Sequence, residues 1–363
     1  MPGHPTASIL IAIFSIALSA LPASASAQHD RQNEPTAQAA EQPYLLRDDA
    51  MRFADAVAER RDLDRDWTRR AIGQAVYLPG VARLMLPPAP GAAKNWRAYR
   101  ANFVNPARIR AGVRFWQRNR AVLQRAQDEF GVPPEIIVGI IGVETIYGQQ
   151  MGSFRVIDAL ATLAFDFPAG HPRAQARQDF FRDELEQFLS LCQRTDMAPD
   201  APLGSYAGAM GMPQFMPSNW TRYAIDYDGD SQVDLWNSEA DAIGSVANYF
   251  QGHGWQSGLP AHYPVRLSRH ADLPALLAPD AQPSFSPAEF AAKGARLDAD
   301  GMAYPGLLAL IELQNGNPAT PGHAPTYVAG TENFQVIMRY NRSSFYALSV
   351  IELGQAVMAA MGR

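Results

Sequence analysis

Ile136-Ile137-Val138-Gly139-Ile140-Ile141-Gly142-Val143-Glu144-Thr145-Ile146-Tyr147-Gly148 carries one charge, Glu144, in an otherwise apolar run. A run that apolar belongs inside a core or on the floor of a cleft. Burial penalises the charged form of a carboxyl group, so the pKa of Glu144 is expected to rise. An acid still protonated near neutral pH can pass its proton to a leaving group. The competing reading is a structural glutamate paired with a buried arginine or with backbone donors. Buried carboxyls are rare and enriched at active sites, so the run alone leaves both readings open. The local grammar is helical. Pro133-Pro134 suits a first turn, where a missing N–H costs nothing. Glu135 complements the helix N-terminus, and Gly148 offers a stop. Gly139 and Gly142 are poor helix formers, so close approach of a neighbouring helix or of a ligand is expected there.

The chain has 363 residues, 47% hydrophobic and 18% charged, enough for a sizeable core. Its formal net charge is −5. Residues 1–27 hold no Lys, Arg, Asp or Glu, so their removal would leave that charge unchanged. An acidic balance argues against nucleic acid as the main partner, because phosphate binding needs a basic face. Residues 1–27 read as a secretory signal: Ile9 to Leu21 is apolar but shorter than a membrane span, and Ala23-Ser24-Ala25-Ser26-Ala27 offers small-residue cleavage sites. The alternative is an uncleaved N-terminal anchor. No cysteine lies near that region, which excludes lipid attachment there, and a periplasmic protein is expected. The single cysteine, Cys192, rules out an intramolecular disulfide and reads as a small buried hydrophobe.

Residues 28–44 are rich in Gln, Glu and Ala and read as a flexible linker. A helical catalytic body is expected over 45–257. It includes a helical pattern from Leu45 to about Leu86, an amphipathic helix over 107–130 and another from Phe180 to Gln193. Residues 258–335 turn rich in Pro and Gly and read as a β-containing insertion. Tyr263–Leu267, Thr326–Val328 and Phe334–Met338 are its strand candidates. A strand and helix over 336–363 return to the body, with Ser343 capping a final helix from Phe345 to Met361. The fold class is therefore mainly α, with a small β-containing subdomain inserted before the C-terminal helix.

A second dense segment runs Gly204-Ser205-Tyr206-Ala207-Gly208-Ala209-Met210-Gly211-Met212-Pro213-Gln214-Phe215-Met216-Pro217-Ser218-Asn219-Trp220. Glycine lets backbone approach a ligand, while Ser, Gln and aromatic rings can grip sugar hydroxyls and faces. A buried turn between helices would read the same way.

Val132 to Thr145 resembles the catalytic signature of B-type lytic murein transglycosylases. Ser205 to Pro217 is similar to that family's second motif. Asp241-Ala242-Ile243-Gly244-Ser245-Val246-Ala247-Asn248-Tyr249-Phe250 with Gly254-Trp255 resembles its third, and Arg339-Tyr340-Asn341 a fourth. The motifs stand in the family's order across about residues 45–361. The resemblance implies a lysozyme-like helical fold with an added β subdomain. It implies cleavage of the β-1,4 bond between N-acetylmuramic acid and N-acetylglucosamine in peptidoglycan. It further implies that the muramoyl C6 hydroxyl, not water, closes onto C1 and leaves a 1,6-anhydro end, with no cofactor for catalysis. Glu144 matches the single acid/base. Ser205 and Asn341 match positions around the N-acetyl group. Gln214, Tyr249 and Tyr340 match cleft positions, Tyr99 falls at a matching distance before Glu144, and Arg177 and Phe180 match a substrate-contacting stretch. Phe180 stands where the family can carry tyrosine, and Met212-Pro213 replaces a more usual aromatic-glycine pair.

Asp226-Tyr227-Asp228-Gly229-Asp230-Ser231-Gln232-Val233-Asp234 spaces oxygen ligands at every second residue, as in an EF-hand loop. Glycine falls at the fourth position instead of the sixth, and Asn237 takes the place of the closing glutamate. The resemblance implies a structural calcium here, held by Asp226, Asp228, Asp230 and Gln232 with Asp241 completing the set. A solvated acidic turn is the alternative. The seven histidines are scattered without metal spacing. Two rivals to the transglycosylase reading are a hydrolytic muramidase, which would draw its second carboxylate from Asp158, Asp166, Asp179 or Asp183, and a silent wall-binding scaffold. Glycan strands are the expected partner, with proteins of wall synthesis or division as possible others and a monomer as the expected state.

Overall fold

A computed structural model describes residues 43–87 and 94–362. The expected signal segment and the linker as far as residue 42 lie outside them. The linker ends sooner than expected: Tyr44 opens a 3-10 helix, Tyr44–Leu46, with its ring buried and its Oη donating to Asp166 Oδ2 at 2.8 Å.

Along the chain run α1 (Asp48–Arg61), α2 (Arg65–Gly73), α3 (Pro79–Leu84), α4 (Trp96–Phe103), α5 (Pro106–Arg118), α6 (Arg120–Phe130) and α7 (Pro134–Thr145). Then come β1 (Phe154–Arg155), α8 (Val156–Phe165), α9 (Ala174–Arg194), β2 (Leu203–Gly204), α10 (Pro217–Tyr223) and α11 (Glu239–Gly252). The rest is β3 (His262–Leu267), α12 (Leu273–Leu277), α13 (Pro287–Ala292), β4 (Ala295–Leu297), α14 (Ala299–Met302), β5 (Ala309–Leu313), β6 (Thr326–Gly330), α15 (Glu332–Tyr340) and α16 (Ser344–Met361). The mainly α class holds.

The described residues fall into two compact units, one of 94–150 and 223–362, the other of 43–87 and 151–222. The single body expected over 45–257 is thus divided. Helical periodicity is local and does not reveal which helices share a core.

In the first unit α7 is buried along nearly its whole length and packs on α16, α11, α5 and α6. Pro133 and Pro134 start it as the sequence predicts. Its crossing with α16 explains Gly139. A Cβ there would lie 2.3 Å from the Val350 carbonyl oxygen, and one on Gly354 would lie 1.9 Å from that of Glu135. The two backbones touch, so glycine is required by the neighbouring helix. The helix expected over 107–130 is broken at Asn119, whose Nδ2 donates to the Phe115 carbonyl at 2.9 Å and competes with the ladder.

The expected insertion forms an antiparallel sheet in the order β4-β3-β6-β5, with Tyr263 opposite Ala329 and Leu310 opposite Ala329. Tyr263, Leu310 and Ala329 join Phe290, Tyr304 and Leu308 in its own core. Phe334–Met338, expected as a strand, lies within α15. Thr331 caps that helix through Oγ1 and the Asn333 N–H at 3.2 Å. A short apolar run fits either period, and the cap decides.

In the second unit α8 is buried throughout and packs on α9, α3 and α2. Cys192 on α9 is buried, and burial lifts its thiol to about 12, which makes it inert.

Candidate active site

Glu144 is the penultimate residue of α7. Val143 and Thr145 on either side are buried, while Glu144 keeps part of its surface open. Gly148 does not end the helix. The chain turns at Ile146 and Tyr147, both left-handed at φ 52° and 57°. Bulky residues hold that conformation at a cost of about 1–3 kcal/mol each, a strain that clusters at functional sites. Gly148 N–H instead closes onto Thr145 Oγ1 at 3.1 Å.

Three elements bring phenols to the carboxyl. Tyr346, buried in the first turn of α16, donates from Oη to Glu144 Oε1 at 2.5 Å. Tyr340 ends α15 and stacks on Tyr346, with ring centres 6.4 Å apart. Tyr99 on α4 packs on Phe103 and Phe345. The Glu144 charge helps raise the pKa of all three, after burial, with Tyr99 pushed up to about 12 and the other two well above the ordinary range. They remain neutral donors at any working pH. Tyr249 on α11 continues this aromatic wall, 4.7 Å from Tyr340 edge to face, and Asn341 is buried in the extended link before α16. Of the expected residues, the first unit therefore gathers Glu144, Tyr99 and Tyr340 about one carboxyl, with Tyr249 and Asn341 adjoining through Tyr340.

Burial lifts Glu144 from 4.5 to about 7, against the Tyr346 hydrogen bond and the positive charge of Arg108, which lower it. Among the described residues no second carboxylate shifts Glu144. The rival carboxylates have other occupations: Asp158 pairs with Arg155 at 2.7 Å, and Asp166 with Arg47 at 2.6 Å. Asp179 accepts from Gln175 at 2.9 Å, and Asp183 is raised by burial beside Glu186.

Ser205, Gln214, Arg177 and Phe180 belong to the second unit. Ser205 Oγ accepts the Ala209 N–H at 3.0 Å and the Ala207 N–H at 3.3 Å, bracing its own loop. Gln214, left-handed at φ 52°, donates from Nε2 to the carbonyls of Gly211 at 2.9 Å and Met151 at 3.1 Å. Arg177 is buried on α9 with its guanidinium 5.6 Å from the Phe180 ring.

The sequence reading missed Tyr346, Arg108 and Glu184. Glu184 is buried on α9 and accepts Ser218 N–H at 2.9 Å and Oγ–H at 2.6 Å, which fixes the exit of the Ser205–Pro217 loop; burial raises it to about 7. Helical spacing marked none of the three, since each acts across to another element.

Asp226, Asp228 and Asp230 bring carboxylate oxygens within 4.8 Å of one another. Asp226 is oriented by the N–H groups of Gly229 at 2.7 Å and Ser231 at 2.8 Å, and the Gln232 N–H donates to Asp230 at 2.8 Å. An all-oxygen cluster of like charges fits a hard divalent cation. Asp241 departs from expectation. It is buried, and its two oxygens accept the Tyr227 and Asp234 N–H groups at 2.7 and 2.8 Å, so it braces the loop from beneath.

Residues 46–355 match the family described as Transglycosylase SLT domain. The chain is 39% identical over 324 residues to membrane-bound lytic murein transglycosylase B of Escherichia coli (strain K12), covering 86% of this chain and 83% of that one. Its fold is similar to the E. coli lytic transglycosylase Slt35 solved with calcium, at TM-score 0.73 and 37% identity over 91% of this chain and 95% of that one. It is also similar to soluble lytic transglycosylase SltB1 from Pseudomonas aeruginosa, at TM-score 0.75 and 36% identity over 86% and 99%. The lysozyme-like helical class implied by the motifs agrees with these neighbours.

Proposed function

The chain belongs to the Transglycosylase SLT domain family, and on that premise we propose that it is a peptidoglycan lytic transglycosylase with Glu144 as its sole acid/base. The observation that carries this is a carboxyl raised to about 7 by burial with no second carboxylate acting on it among the described residues. An ordinary glycosidase needs two flanking carboxylates. A lone one suffices if the substrate supplies the rest. Protonated Glu144 gives its proton to the oxygen between muramoyl C1 and the next sugar, and the C1–O bond breaks. The N-acetyl carbonyl oxygen shares the positive charge at C1. Glu144, now a carboxylate held by Tyr346, takes the proton of the C6 hydroxyl, and O6 closes on C1. The 1,6-anhydro ring forms, and Glu144 is protonated again.

Tyr99, Arg177, Phe180, Ser205, Gln214, Tyr249, Tyr340 and Asn341 are proposed to hold the sugars, with Ser205 and Asn341 at the N-acetyl group. The test of the reaction is the mass of muropeptides from digested sacculi: anhydro ends are one water lighter than reducing ends.

A pH dependence follows. The free enzyme must carry the Glu144 proton, and its pKa is about 7. Activity per active site is expected to hold below that value and to fall about tenfold per further pH unit above it. A rate already falling from the ordinary carboxyl range near 4.5 would contradict the site.

Asp226, Asp228 and Asp230 are proposed to hold a structural calcium that steadies the loop leading to α11, with Gln232 beside them. Calcium in place of a chelator should raise the melting temperature, by about 2.7 kcal/mol of stability at a hundredfold excess over Kd. Identical melting curves would remove the metal from the account. Export to the periplasm, where the substrate lies, is proposed from the apolar stretch Ile9 to Leu21 and the small residues after it.

A further inference from the structure

We infer that Arg108 positions Glu144: its guanidinium clamps two carbonyls in the last turn of α7 and, among the described residues, supplies the one positive charge facing the acid. This rests on the reaction assigned to Glu144 above and goes beyond its motifs, none of which contains Arg108.

Arg108 lies in the first turn of α5. Its Nη1 donates to the Gly142 carbonyl and, at 3.1 Å, to that of Val143. These are the two carbonyls immediately before Glu144. A cation at a helix C-terminus meets the negative end of the helix dipole, and here it adds a second donor to the Gly142 carbonyl, which also accepts the Ile146 N–H at 3.3 Å. The guanidinium lies 5.2 Å from the Phe103 ring. Its Nε is buried and has no acceptor among the described residues. Arg108 is half-buried with an unmet donor, and burial lowers its pKa, while the charge of ionised Glu144 opposes that fall. Bonds to two carbonyls need only a neutral donor. The charge Arg108 adds lowers the Glu144 pKa against burial, so it steadies the carboxylate once the proton has left.

The rest of the contact holds this geometry. Arg108, Gly112 and Phe115 share one face of α5. Tyr147, thrown back by its left-handed turn, packs on Phe115 at 5.2 Å. A Cβ on Gly112 would lie 2.3 Å from Tyr147 Oη, and one on Gly142 would lie 2.4 Å from it. The end of α7 is therefore gripped between Arg108 and Tyr147. The titratable groups facing Glu144 are Tyr346 from α16, Tyr340 from α15, Tyr99 from α4 and Arg108 from α5; none from α6 or α11 acts on it. The phenols are neutral, so among the described residues Arg108 supplies the fixed positive charge that the Glu144 carboxylate meets when the proton leaves.

The experiment uses the whole protein, with kcat and KM on purified glycan measured across pH for Arg108→Met and Arg108→Lys. For Arg108→Met, kcat should fall about ten- to a hundredfold with KM within about twofold. Loss of the positive charge should move the alkaline limb upward by about half to one pH unit, since an unopposed carboxyl holds its proton longer. Arg108→Lys should keep the limb near its wild-type position and recover part of kcat, because an ammonium retains the charge without the planar fork. Anhydro products should persist in both. A wild-type limb in Arg108→Met, with only the melting temperature lowered, would overturn the inference. If Arg108→Met does not fold, full wild-type kcat in Arg108→Lys would overturn the clamp. Failure of the wild-type protein to make anhydro ends would strike the functional reading instead.

Discussion

Glu144→Gln is expected to lower turnover on peptidoglycan by roughly 10²- to 10⁴-fold while the protein stays folded. The substitution keeps shape and volume, and the amide oxygen can still accept from Tyr346 Oη, which reaches Glu144 at 2.5 Å. It removes the proton that leaves with the departing sugar and the base that the C6 hydroxyl needs. No neighbouring carboxylate acts on this position among the described residues, so no substitute stands by. Burial already disfavours the charged form, so a neutral amide should leave the melting temperature equal or slightly higher. Parallel measurement of product release and thermal unfolding separates the two effects. Residual activity above a tenth of wild type would remove Glu144 from the chemistry.

Gly354→Ala is expected to produce a large loss of stability from adding a single methyl group. The new Cβ would meet the Glu135 carbonyl oxygen at 1.9 Å, and that atom is backbone that cannot swing aside. The α7 and α16 helices must part. Overpacking of this kind costs about 3 kcal/mol or more, which should lower the melting temperature by roughly 6–12 °C. Activity should fall as well, because Glu144 rides on α7 and its partner Tyr346 on α16. A melting temperature within a degree or two of wild type would show that the helices do not meet as described.

The sequence exposed the acid and hid its control. Glu144 was legible because a single charge in a run of Ile, Val and Gly can only be buried, and burial dictates a raised pKa. The strands at 262–267 and 326–330 were legible through Pro- and Gly-rich punctuation. Phe334–Met338 was not, because five apolar-rich residues fit both periods and Thr331, the cap that settles the matter, lies outside them. Tyr346 was invisible for a different reason. It is one aromatic in a helix that reads as core throughout, and its bond spans 202 positions of chain. Asp241 entered the metal set through the resemblance, and the fold adds what the motif does not show: its two oxygens accept the N–H groups of Tyr227 and Asp234. Arg108 is one of several arginines in the amphipathic stretch 107–130, and no spacing sets it apart.

The most direct test of a lone carboxyl working with an internal nucleophile is digestion of glycan strands in heavy-oxygen water, with the termini analysed by mass. Ring closure by the C6 hydroxyl predicts anhydro ends that carry no label, whatever the extent of digestion. Muramoyl reducing ends bearing heavy oxygen at C1 would contradict it, since they require water as the attacking group.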